Sequence, residues 1–304
     1  MVIIECYFLQ EKTEDGNALI QGAFDILDEF AEAFGKNGDK NINVIFIKIV
    51  LLKVSGDRAS EYQNALDFYD LALNMHSRFL GDDKSYYAVI LLCKAIKIHS
   101  NTPWKSEELD ELFNKCLEIF YDDKENNKEG LQRIHKYFAF YRADDMTSSI
   151  DDKLMHGRKT IKLEREIHGG IRRNEKSGYE NFSILFFLGT EICGKSVDTS
   201  QFLKKIDYDE ATGYLLEALA IAYSHPDVPI YDAANINYSL GLCESLKEGK
   251  RNLRKALDYV EKGIHILSRM DETDSEFRVH QTSKNEEIDS FEKLSKAISF
   301  EMMI

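Results

Sequence analysis

The feature that most constrains this fold is a pattern that returns along the chain. Ala65-Leu-Asp-Phe-Tyr-Asp-Leu-Ala-Leu-Asn-Met aligns with Ala256-Leu-Asp-Tyr-Val-Glu-Lys-Gly-Ile-His-Ile and with Ala211-Thr-Gly-Tyr-Leu-Leu-Glu-Ala-Leu-Ala-Ile. Each copy places a small residue, a large apolar residue four later and a small residue three after that: Ala65/Tyr69/Ala72, Ala211/Leu215/Ala218 and Ala256/Val260/Gly263. At helical periodicity the three share one face. Weaker copies at Leu109/Phe113/Cys116 and Lys153/Gly157/Thr160 put the successive registers 44, 44, 58 and 45 residues apart, the 58 marking a polar insertion near 194–205. A helix pair with such a face cannot bury it alone; stacked neighbours bury it together.

A second signature precedes two of the copies. Leu188-Gly189 closes Phe182-Ser-Ile-Leu-Phe-Phe-Leu-Gly, and Leu240-Gly241 lies in Asn235-Ile-Asn-Tyr-Ser-Leu-Gly-Leu. The glycine lets the next helix approach, and the small residues of that helix receive it. Together the two signatures resemble the tetratricopeptide repeat, with Leu-Gly on a first helix and the small/large/small triplet on the second. Leu73-Asn-Met-His-Ser-Arg-Phe-Leu-Gly81, Thr160-Ile-Lys-Leu-Glu-Arg-Glu-Ile-His-Gly169 and Ile26-Leu-Asp-Glu-Phe-Ala-Glu-Ala-Phe-Gly35 resemble the long second helix of the kinesin-light-chain subtype. The resemblance covers about residues 18–270 and departs at the usual tryptophan, where Leu185 and Asn237 stand.

The resemblance implies an all-α fold, a right-handed α-solenoid of about five to six helix pairs. Helices are expected at 16–35, 41–55, 59–80, 83–99, 105–121, 127–143, 147–168, 177–193, 207–224, 229–247 and 251–270. Residues 274–304, with Phe277, Ile288, Phe291, Leu294 and Ile298 on one side, read as a capping helix. An N-terminal half at 1–150 and a C-terminal half at 151–304 follow, with linkers near 122–128, 143–152 and 194–205.

Composition agrees and removes alternatives. Only three prolines and 17 glycines occur in 304 residues, too few for a turn-rich β sandwich. The net charge of −14 repels nucleic acid and anionic membrane as principal partners. Five scattered cysteines, with no C-x-x-C, suit a reducing compartment and propose neither disulfide nor zinc. The apolar start Met1-Val-Ile-Ile lacks a basic flank and meets Glu5, a poor signal peptide, and no apolar run is long enough to span a bilayer. The expected location is the cytoplasm, or the host cytosol if the source is an intracellular bacterium.

No catalytic constellation stands out. Glycine-rich phosphate loops and His-Glu-x-x-His are absent, the histidines never pair at metal spacing, and His168-Gly-Gly reads as a helix stop. No catalytic residue, metal or cofactor is therefore assigned. In the resembled family the first helices line a concave groove. Carried over position by position, that implies partner-binding roles for Tyr87, Lys94, Arg133, Lys136, Phe140, Phe186, Thr190, Asn235, Tyr238 and Leu242.

One charge feature adds to these. Residues 153–176 hold eight basic against three acidic residues, a local +5, and Arg158, Lys162, Arg165, Arg172 and Arg173 read as a docking patch for an acidic segment. The leading expectation is a non-enzymatic solenoid that sequesters or inhibits a partner protein, in the manner of an immunity protein or a regulator of an effector. A chain that is all repeat acts only by occluding or bridging partners. The alternative is a sensor or adaptor whose groove takes a short peptide or small ligand.

Overall fold

The structure, a computed structural model, describes residues 21–26, 29, 42–81, 84–101, 106–144, 150–173, 175–194, 208–247, 249–271 and 283–303, without the side chains of 106, 140–144, 150, 175 and 176. Among the described residues the regular structure is all helical, with no strand. The helices are α1 (Ile42–Arg58), α2 (Tyr62–Phe79), α3 (Lys84–Asn101), α4 (Ser106–Asp122), α5 (Lys128–Asp144), α6 (Ile150–His168), α7 (Glu175–Gly194), α8 (Tyr208–Ala222), α9 (Ile230–Ser245), α10 (Lys250–Arg269) and α11 (Lys284–Met303). The chain forms two compact units, Met1–Tyr141 and Arg142–Ile304. The expected helix over 16–35 lies mostly outside the described residues, as do Phe277 and most of the insertion near 194–205.

In the first unit α1, α2, α3 and α4 pack in chain order, and α1 also touches α3 directly. The first triplet is buried throughout: Ala65, Tyr69 and Ala72 all face inward. The Tyr69 ring packs against Gly56 of α1, where a Cβ would come within 2.8 Å of it. The next pair repeats the device with other residues. Phe113 of α4 meets Phe138 of α5 edge to face, ring centroids 5.3 Å apart, and Cys116 donates to the Ala88 carbonyl at 3.4 Å. Phe120 fills the space that a Cβ on Gly130 of α5 would need.

The second unit carries the repeat most clearly. Neighbours α6 to α7, α7 to α8, α8 to α9, α9 to α10 and α10 to α11 pack in turn, while α7 touches α9 and α9 touches α11 across the intervening helix. Both Leu-Gly glycines sit under the middle residue of the following triplet. A Cβ on Gly189 would stand 2.5 Å from Leu215, and one on Gly241 2.5 Å from Val260. Cores packed to crystal density leave no room for that methyl. Gly263, the last small residue of the last triplet, receives the Phe291 ring of α11.

Phe291 and Ile298 of α11 are buried against Ala256, Val260 and Leu267 of α10, with Ile288 and Leu294 beside them. Burying a phenylalanine contributes about 1.5–3 kcal/mol, so this one residue ties α11 firmly to the stack. A capping box starts the helix: Ser283 N–H donates to Glu286 Oε2 at 2.9 Å, and Glu286 N–H returns to Ser283 Oγ at 3.3 Å. Lys284 Nζ closes the end of α10 by donating to the Ser268 and Met270 carbonyls. At the other end of the unit, α6 stops at His168 because Gly169 takes φ +69°, a left-handed C-terminal stop that a side chain would strain.

Candidate partner-binding surfaces

The basic stretch of residues 153–176 does not form an open docking patch. Arg158 grips Glu210 with two hydrogen bonds of 2.7 Å, and Arg165 grips Glu217 at 2.8 and 3.0 Å. Arg172 folds back on Glu164, donating to its two carboxylate oxygens at 2.8 and 2.9 Å. Lys162 stays exposed, 3.9 Å from Glu166, and Arg173 is exposed on the loop. Counting charge within residues 153–176 misses Glu210 and Glu217, which arrive from α8. Three of the five proposed cations are thus joints inside the second unit.

Glu164 anchors the α6–α7 connection. Its side chain has no solvent exposure, and besides Arg172 it accepts from Asn181 Nδ2 at 2.8 Å and from the Arg172 backbone N–H at 3.2 Å. Burial alone would raise its pKa; the hydrogen bonds from Arg172 and Asn181 overcome that and hold it down at about 2.

In the first unit the groove positions separate. On the face shared by α1 and α3, Lys53 pairs with Asp57 at 2.6 Å, and Tyr69 donates to the same Asp57 at 2.7 Å. Lys94 pairs with Asp70 at 2.5 Å, and Lys97 reaches the Ala59 carbonyl at 2.9 Å, crossing from α3 to the end of α1. The Arg133 charge of α5 acts on both Lys53 of α1 and Cys93 of α3. Burial pushes the Cys93 thiol up to about 11, with Asp57 adding to it and Lys53 and Arg133 opposing. That thiol stays protonated and unreactive at neutral pH. Lys136 stands over the Tyr137 ring at 5.4 Å; the Phe140 side chain lies outside the described residues.

Tyr87 belongs elsewhere. Its ring packs against His76 of α2 at 5.6 Å, with Lys115 of α4 above it at 5.3 Å. These three line a cleft of about 390 Å³ with Lys84, Glu118 and Asp122. The cleft runs between the second helices α2 and α4, not along the first-helix face that the resemblance assigns to Tyr87. Its α4 wall was legible: Lys115, Glu118, Ile119 and Asp122 follow helical spacing on one face. Nothing in the sequence brings His76 to that wall, because it comes from α2 of the preceding pair, while Lys84 and Tyr87 come from α3.

In the second unit, Phe186 stacks on Phe182 at 5.9 Å, and Thr190 turns its hydroxyl back to the Phe186 carbonyl at 2.9 Å. Asn235, Tyr238 and Leu242 line α9 and are half-buried. The Tyr238 ring lies 4.8 Å from Phe291 and joins the core beneath α11, so it packs the end of the stack. Among the described residues no group of three or more His, Cys, Asp or Glu side chains is placed to hold a metal ion, and no helix is long and apolar enough to cross a membrane. No protein-family model matches the chain, and no curated protein matches it.

Proposed function

We propose that the chain is a non-enzymatic α-solenoid of the tetratricopeptide kind that binds another protein and thereby sequesters or inhibits it. One observation carries the reading: the first helices of successive pairs touch across the intervening helix, α1 with α3 and α7 with α9, as stacked repeats require. Within each unit such a stack exposes a row of first-helix side chains. That row suits a protein-sized interface of roughly 1,600 Å² in total better than it suits a small molecule. Arg133, Lys136, Phe186, Thr190, Asn235 and Leu242 are the contact residues this reading names. Affinity purification of the tagged full-length chain, followed by mass spectrometry and calorimetric titration of the recovered protein, tests it. Failure to recover any protein that binds in purified form removes the reading.

The cleft bounded by His76, Tyr87 and Lys115 favours a second reading, a peptide or small-ligand sensor, because about 390 Å³ is the size of ordinary ligand sites. Calorimetry separates the two: the sensor binds a short peptide as tightly as the whole protein that contains it.

A further inference from the structure

We infer, taking the cleft between α2 and α4 as the ligand site of the second reading above, that it receives a free zwitterionic α-amino acid with an apolar side chain. Such a ligand is separate from the protein partner of the first reading. The lining carries both signs of charge in equal number: Lys84 from α3 and Lys115 from α4, against Glu118 and Asp122 from α4. Lys115, Glu118 and Asp122 follow one another at single-turn steps along α4 and so share one face. Lys115 and Glu118 have the spacing at which Glu125 and Lys128 close an ion pair of 2.7 Å. They close none. Lys115 instead reaches across to α3 and holds its ammonium 5.3 Å from the centre of the Tyr87 ring, while Glu118 stays exposed. Among the described residues, Lys84, Glu118 and Asp122 also enter no ion pair. Two cations and two carboxylates thus surround one cleft without neutralising each other.

That arrangement chooses among ligands. A phosphate or a dicarboxylate meets Glu118 and Asp122, and a bare cation meets the two lysines; a zwitterion satisfies both signs. In an α-amino acid a single carbon separates ammonium from carboxylate. That suits a lysine and a glutamate one turn apart on a helix, whose Cβ atoms lie about 5–6 Å from each other. The ligand carboxylate accepts from the Lys115 ammonium, and the ligand ammonium donates to Glu118, with Lys84 and Asp122 adding to each charge. Half-buried Tyr87 and Ile119 offer the surface for an apolar side chain. The Tyr87 ring is held in place by buried His76, 5.6 Å away. The volume of about 390 Å³ lies within the ordinary range of small-ligand sites.

Isothermal titration calorimetry of the full-length chain with free L-phenylalanine tests the site. The wild type should bind it saturably. Two analogues, 3-phenylpropionate without the ammonium and phenethylamine without the carboxylate, should each bind about tenfold more weakly. Lys115→Met and Glu118→Gln should each weaken L-phenylalanine about tenfold. Glu118→Gln should not weaken 3-phenylpropionate, because that ligand has no ammonium to lose. Glu107→Gln removes a carboxylate exposed at the start of α4, outside the cleft, and should leave L-phenylalanine within about twofold. Thermal unfolding of each variant confirms that the fold is retained. No binding of L-phenylalanine by the wild type, equally tight binding of 3-phenylpropionate or inorganic phosphate, or an equal loss in Glu107→Gln would each overturn the inference. A phenylalanine tripeptide capped at both ends that binds where the free amino acid does not would remove this inference and leave the sensor reading standing. The protein-binding reading stands or falls separately, by the affinity purification described above.

Discussion

Arg158 and Glu210, 52 residues apart in the chain, face each other through two parallel hydrogen bonds of 2.7 Å. Arg165 and Glu217 repeat the relationship at the same separation of 52, one heptad further along each helix. Equal steps on both partners mean that α6 and α8 run side by side in the same direction for two turns. The sequence shows a basic run; the fold converts it into a ladder between α6 and α8.

A double-mutant cycle on Arg158 and Glu210 measures that ladder. Both side chains are partly exposed, so solvent screening limits the coupling to about 0.5 kcal/mol. Each single change to alanine should lower the thermal midpoint slightly, and the double change should lose less than the sum. Strict additivity would show that the pair contributes nothing.

Glu164 sets a pH dependence. Its folded pKa of about 2 lies below the ordinary carboxylate value of 4.5, so its contribution is present in full above about 4.5 and is lost as pH falls toward 2. Glu164→Gln keeps the shape, loses the charge and should cost about 2 kcal/mol at pH 7 by urea unfolding. The gap between variant and wild type should narrow between pH 4.5 and 2.5; a gap constant with pH contradicts the assignment.

Two glycines predict opposite signs for one substitution. Gly241→Ala drives a methyl to within 2.5 Å of Val260 and 3.2 Å of the Ala256 carbonyl, and should destabilise by about 2 kcal/mol. Gly213, exposed within α8, has nothing near its missing Cβ, so Gly213→Ala should stabilise by about 0.5–1 kcal/mol through helix propensity. Chemical denaturation of both variants checks the pair. Equal signs would mean that the Leu-Gly glycine is not a packing device.

Tyr238 separates packing from binding. Because its ring rests on Phe291, Tyr238→Ala should lower stability by about 2 kcal/mol whether or not a partner is present. Thr190→Ala, whose hydroxyl bonds the Phe186 and Phe187 carbonyls of its own helix, should leave stability within about 0.5 kcal/mol.

What was legible in the sequence follows from which interactions are local. The triplets Ala211/Leu215/Ala218 and Ala256/Val260/Gly263 report a helix face through spacing alone, and the Leu-Gly glycines report the approach of the next helix. Helix limits were legible for the same reason; the stop at Gly169 follows from local glycine chemistry. The first triplet's partner was missed, because Gly56 follows Ser55 rather than a leucine, yet it receives Tyr69 as Gly241 receives Val260. Surfaces were harder to read. Whether Arg158 is open or paired depends on Glu210, one repeat away, and whether Tyr87 faces α1 or α4 depends on rotation about the α3 axis. The resemblance supplied a register for α3, but His76 and Lys115 set where that ring goes.

Affinity purification of the tagged chain with quantitative mass spectrometry, followed by titration of the purified candidate, bears most directly on the central reading. The account predicts one folded protein that binds the wild type in stoichiometric amount, with an affinity that its isolated short peptides do not reproduce. Recovery of no protein, or binding reproduced in full by a short peptide or small molecule seated between His76 and Lys115, would contradict it.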